Sequence, residues 1–163
     1  MPSNTTRRDP RALQASMSAG TVVVASTGAG QFEQIMLDGR HTLYADEPHS
    51  AGGGDTGPGP YELLLMALGS CTSMTVHMYA ARKHWALEQV IVTLRHQRVH
   101  VQDCADCEDR KSMLDRIDKR IELVGALDEA QRTRLAEIAD HCPVHRTLTS
   151  KVDIRTELVS AVN

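Results

Sequence analysis

A chain of 163 residues with 41% hydrophobic and 24% charged residues, one Trp, three Tyr, one Phe and a formal net charge of −3 has the composition of an ordinary globular protein. That composition excludes fibrous and disordered classes, and a slightly acidic balance with no basic run longer than two residues excludes nucleic acid as a partner. The longest unbroken apolar run, Leu63 to Leu68, falls well short of the roughly 20 residues that a membrane span needs.

Roughly 100–200 residues make one domain, so a flexible segment 1–19 is expected before a single domain 20–163. Arg7 and Arg8 have no apolar stretch of a secretion signal behind them, and a cytoplasmic address is expected. In a reducing compartment the four cysteines are metal ligands or reactive thiols more readily than a disulfide framework.

From Gly20 to Glu47 the chain reads as a three-stranded meander: TVVVAS, FEQIML and HTLYAD, with Asp38-Gly39 as a type I′ hairpin turn. Pro48 to Pro60 is a glycine-rich loop without the lysine and order of a phosphate-binding loop. A long helix over Pro60 to Lys83 begins with proline and has Glu62 in its first turn, where a carboxylate favours the positive helix end. Leu64, Leu68, Cys71, Thr75 and Met78 fall on one face at helical spacing, and Gly69 and Ser70 suit close approach of another segment.

Val90 to Val101 alternates as a long strand, with Val90, Val92 and Leu94 on one face and Ile91, Thr93, Val99 and Val101 on the other. Met113 to Val124 fits two periods, and periodicity alone favours helix through Leu114, Ile117, Ile121 and Val124. Asp128 and Gln131 form a capping-box pattern that opens a helix to His141, with Leu135, Ile138 and Ala139 as its apolar stripe. Pro143 restricts Cys142 to a helix boundary and starts a short helix PVHRTLTS, after which KVDIRTELV (151–159) reads as a last strand. The order βββ-α-β-(α or β)-α-β is an α+β domain.

Four thiols carry the chemistry. Cys142 stands at a helix start, whose partial positive charge favours a thiolate, with His141, His145 and Arg146 near it in sequence. It also completes the stripe of Leu135, Ile138 and Ala139 as a buried structural cysteine would. Cys71, among Leu and Met, has the same two readings, and the two form a dithiol only if packing brings their Cα atoms within about 7 Å. Cys104 and Cys107 make a C-x-x-C after His96 and His100. Those two histidines on one strand are about 13 Å apart, so a zinc set narrows to His100, Cys104 and Cys107. No second C-x-x-C supports it, and the expectation is a surface thiol pair without metal or cofactor.

The segments GPGPYELLLMALGSCTSMTVHMYAARK and LDEAQRTRLAEIADHCPVHRTL together resemble the OsmC/Ohr family of osmotically inducible and organic hydroperoxide resistance proteins. The resemblance runs from about Thr21 to the last segment and implies an α+β fold of antiparallel curved sheets around two central helices, intertwined as a homodimer. It tips Met113 to Val124 towards strand. It further implies a stress-response thiol peroxidase. Cys71 would attack an organic hydroperoxide and become a sulfenic acid, Cys142 would resolve it as a disulfide, and an external dithiol would restore the pair.

Two positions depart from the family pattern, which has a Pro-Glu before the first cysteine and an arginine held by that Glu. Pro60 matches, but Tyr61 stands at the Glu position, and Glu62 one residue later is rotated by about 100° around the helix. No arginine lies in the glycine loop or at the first hairpin turn, and Arg40 at the second turn is the nearest stand-in. GPGPYELLL, ALGSC, HTLYADEP and CPVHRTL are most similar to a branch of the family described as redox proteins. The competing expectation is a dimeric binding module whose groove takes a small apolar or electrophilic ligand.

Overall fold

The computed structural model describes residues 9–100 and 113–159. They form an α+β protein with two antiparallel sheets and three α-helices. Two compact units divide at Leu64 and Leu65, inside the long helix.

In the first unit a 3-10 helix, Pro10–Ser16, is capped by the Asp9 side chain, which accepts the Arg11 N–H. The meander follows as β1 (Val23–Ser26), β2 (Gln34–Leu37) and β3 (Thr42–Ala45), in the order β1-β2-β3. Ile35, Leu37 and Ala45 are its buried side chains. The second hairpin closes differently from the type I′ expectation. Leu37 pairs with Thr42 across a four-residue loop, and only Gly39 takes positive φ. Asp38 makes the longer loop by accepting the N–H groups of Arg40 (2.9 Å) and His41 (2.6 Å) and contacting the His41 ring at 2.9 Å. The His41 side chain and these N–H groups hold its carboxyl well below the usual carboxylate range.

The glycine loop is folded around one carboxylate. Asp46, 3% exposed, accepts N–H groups of Glu47 (2.8 Å) and Gly54 (2.9 Å) and the Thr56 hydroxyl (3.1 Å). Gly53 and Gly57 pack so closely on the Glu47 and Tyr44 carbonyls that a Cβ at either would overlap them. Burial pushes the Asp46 carboxyl up, but the donors of Glu47, Thr56 and Gly54 together outweigh it and its pKa is lowered. A carboxyl lowered on folding contributes stability above the unfolded carboxylate range and loses it as pH falls through its own pKa. Urea unfolding followed from pH 6 to pH 3 is therefore expected to show an acid loss of stability in the parent that is smaller in Asp46→Asn, which has no proton to take up.

The second unit holds most of α1 (Pro60–Arg82), then β4 (Ala86–His100), β5 (Met113–Ala126), α2 (Glu129–Ala139) and α3 (Pro143–Leu148). Met113 to Val124 is strand, against its helical periodicity: β5 pairs antiparallel with β4 along its whole length, with a bulge between Leu87 and Gln89. Val90, Val92 and Leu94 face Leu123, Ile121 and Lys119, and a strand long enough to satisfy that many ladder bonds overrides a twelve-residue helical pattern. The core cluster is Val76, Ala80, Leu135 and Ala139, bordered by Leu87, Val90, Ile121 and Leu123.

The buried face of α1 is not the expected one. Leu68, Gly69, Thr72, Val76 and Ala80 are buried, whereas Met66, Met74 and Met78 are 57%, 66% and 57% exposed. Apolar residues surround this helix, so periodicity could not choose a side. The small side chains decide it: a Cβ on Gly69 would lie 2.8 Å from Leu94 Cδ1. By length and composition α1 is apolar enough to cross a membrane, with a mean hydropathy of 1.3 over its most apolar window, which the count of unbroken apolar residues did not convey. The packing of Val76 and Ala80 on Leu135 and Ala139 supplies a core-helix reason for that apolarity. The expected last strand does not form within the chain: residues 151–159 have no ladder, and Ile154 and Leu158 are 84% and 98% exposed.

Candidate active site

The capping box at the start of α2 is complete, with the Asp128 side chain accepting the Gln131 N–H and the Gln131 side chain accepting the Asp128 N–H. The far end of α2 delivers Cys142. Lys119, from the inner face of β5 and only 11% exposed in its side chain, donates to the Ala139 carbonyl at 2.9 Å and pairs with Asp140 Oδ1 at 2.9 Å. One cation thus holds the last carbonyl of the helix and the acidic residue after it, a favourable place for positive charge. His145 Nδ1 stands 3.9 Å from the same Asp140 oxygen.

Cys142 is extended (φ −65°, ψ 146°), as Pro143 requires, and caps α3 by accepting the His145 N–H on its sulfur at 3.4 Å. The sulfur is completely buried and lies 3.5 Å from Thr72 Oγ1, itself completely buried on α1. Cys71 is the preceding residue of α1, half-buried, and both thiols are free. The fold therefore brings Cys142 against the turn of α1 that bears Cys71. One thiol is partly open to solvent and the other is enclosed.

The two candidates for the family's Glu and Arg pair lie at the start of α1 and in the β2–β3 loop. Glu62 accepts the Gly59 N–H at 2.8 Å and so caps the start of α1. Arg40 belongs to the β2–β3 loop, where its N–H binds Asp38. The zinc candidates Cys104 and Cys107 lie outside the described residues, as does the side chain of His100; His96 Nε2 contacts Asp115 at 2.9 Å. Among the described residues no three His, Cys, Asp or Glu side chains are grouped as a metal site. A cavity of about 340 Å³ beside the Cys142 turn is lined by Leu68, Ile117 and Leu148 together with Lys119, Asp140 and His145.

Sequence reasoning missed Thr72 and Lys119. Thr72 was legible as the polar member of the series Leu68, Thr72, Val76, Ala80 at steps of four, and Lys119 as the charge between Ile117 and Ile121 on an inward strand face.

Comparison with known proteins supports the same fold. The OsmC-like protein family model matches residues 52–157, well over half of the chain. Among solved structures, an OsmC-like protein from Mycoplasma pneumoniae has 16% identity and a TM-score of 0.61, over 78% of this chain and 85% of that one. An organic hydroperoxide resistance protein OsmC from Legionella pneumophila has 18% identity and a TM-score of 0.57, over 84% and 95% of the two chains. The organic hydroperoxide resistance protein OhrB of Bacillus subtilis has 18% identity and a TM-score of 0.55, over 85% and 96%. Comparison with curated proteins finds no match. The order of elements, the two sheets and the family match lead to one conclusion: this chain belongs to the OsmC-like protein family.

Proposed function

We propose that the chain is a cytoplasmic thiol-dependent peroxidase that reduces organic hydroperoxides through Cys71 and Cys142. The observation that carries this reading is the placement of the enclosed Cys142 sulfur 3.5 Å from Thr72, the residue next to Cys71, while Cys71 itself is half-open. The Cys71 thiolate attacks the outer oxygen of ROOH; an S–O bond forms, the O–O bond breaks, and the leaving alkoxide takes a proton to become ROH. Cys142 then attacks the sulfenic sulfur, forming the disulfide as the oxygen leaves as water. An external dithiol attacks the disulfide, is itself oxidised, and returns both thiols. The family membership and the names of the Legionella and Bacillus structures support this substrate class.

The absence of the family's Glu and Arg pair changes the chemistry expected at Cys71. Tyr61 cannot supply a carboxylate, and Glu62 is occupied at Gly59.

A homodimer is part of this proposal. The apolar stripe of Met66, Met74 and Met78 and the exposed, extended segment 151–159 with Val152, Ile154 and Leu158 are two surfaces that a second copy would cover. An isolated alternating segment makes no strand until another sheet edge offers its N–H and C=O groups.

The test is consumption of cumene hydroperoxide by the purified protein with dithiothreitol as reductant. Multiple turnovers are expected. The binding-module reading, which the cavity beside Cys142 favours, gives ligand retention with none, and that result would replace the peroxidase.

A further inference from the structure

We infer that Thr72 is a positioning residue for Cys142, holding its sulfur by a hydroxyl hydrogen bond in the state that reacts. The inference rests on the dithiol reading above, which it deepens. Position 72 continues a buried apolar series between Leu68 and Val76, where valine would occupy the same volume. A hydroxyl enclosed there needs a partner, and the contact that the fold offers is Cys142 Sγ at 3.5 Å. The sulfur also accepts the His145 N–H at 3.4 Å.

Both of these partners are neutral. The charged or titratable groups on the surrounding elements include Cys71 on α1, Asp140 and His141 in the turn, His145 and Arg146 on α3, and Asp115 and Lys119 on β5. Lys119 is committed to Asp140 and the Ala139 carbonyl. Among the described residues, no charged side chain donates to the sulfur. When Cys142 gives up its proton to attack the sulfenic acid, its sulfur becomes purely an acceptor, and the Thr72 hydroxyl and the His145 N–H can both donate to it. Hydrogen bonds to the charged form favour that form. In the step itself the Cys142–Cys71 S–S bond forms, the S–O bond of the sulfenic acid breaks, and hydroxide leaves with the released proton as water. The hydroperoxide has already supplied the oxidising equivalents.

The test titrates Cys142 as the sole cysteine, in a Cys71→Ser, Cys104→Ser, Cys107→Ser chain, by the ultraviolet absorbance of the thiolate. Thr72→Val is expected to move the midpoint upward by about half a unit to one unit, a threefold to tenfold change in ionisation constant, as loss of one hydrogen bond would. Thr72→Ser, which keeps the hydroxyl, is expected to stay within about twofold of the parent. A Thr72→Val midpoint equal to the parent's would overturn the assignment. Should Thr72→Val not fold, Thr72→Ala takes its place, and an unshifted midpoint there overturns it equally. Peroxide turnover plays no part in this readout, so a chain without peroxidase activity would remove the catalytic cycle while leaving the Thr72 result to stand or fall by itself.

Discussion

In Cys71→Ser, oxidation by cumene hydroperoxide is expected to fall to that of buffer alone, whereas Cys142→Ser is expected to complete one oxidation per chain and then stop. The two variants differ because the two thiols stand in different places. Cys71 is half-open on α1, so a hydroperoxide can reach it, and a serine hydroxyl in its place is not ionised at neutral pH and cannot attack the O–O bond. Cys142 is fully enclosed against Thr72 and is suited to meet a neighbouring sulfur rather than a ligand from solvent. Without it, the sulfenic acid on Cys71 has no enclosed thiol to condense with, and at one equivalent of peroxide it persists. A sulfenic-acid trap such as dimedone should therefore label Cys142→Ser on Cys71, and mass spectrometry locates the adduct. Rates of oxidation that match in the parent and both variants would remove the peroxidase reading.

If the proposed homodimer buries the Met66, Met74 and Met78 stripe, Met74→Glu is expected to make the protein a monomer. Met74 is 66% exposed at the middle of the stripe that Met66 and Met78 extend, opposite the face that α1 packs on its own core. A carboxylate placed in the centre of an apolar interface must be desolvated without a partner, and loss of a central anchor costs about 2 kcal/mol or more, roughly 30-fold in dissociation constant. Sedimentation velocity across a concentration series reads the change. Removal of residues 151–163 tests the second surface, and a parent that sediments as a monomer at every concentration would contradict the dimer outright.

The helices with local stop and start signals were readable from the residues. Asp128 with Gln131 and Cys142 with Pro143 fix their boundaries through hydrogen bonds and sterics confined to neighbouring residues. Residues whose conformation depends on distant partners were not readable in the same way. Met113 to Val124 carries a helical period, yet the ladder with β4 makes it strand. The last segment alternates as a strand should, yet finds no edge within its own chain. On α1 the apolar residues run nearly all round, and the buried side was set by Gly69, Thr72 and Ala80, whose small size lets neighbours approach. The candidate site follows the same rule. Both cysteines were visible as candidates, but Thr72 and Lys119 acquire their meaning only through the tertiary contacts that bring α1 and β5 to the Cys142 turn.

The most direct measurement is a disulfide map of the unsubstituted protein after one equivalent of cumene hydroperoxide, made by proteolysis and mass spectrometry with free thiols blocked in acid. A bond between Cys71 and Cys142 that dithiothreitol removes is the expected result. Unmodified Cys71 and Cys142, or an oxidised pair confined to Cys104 and Cys107, would contradict it.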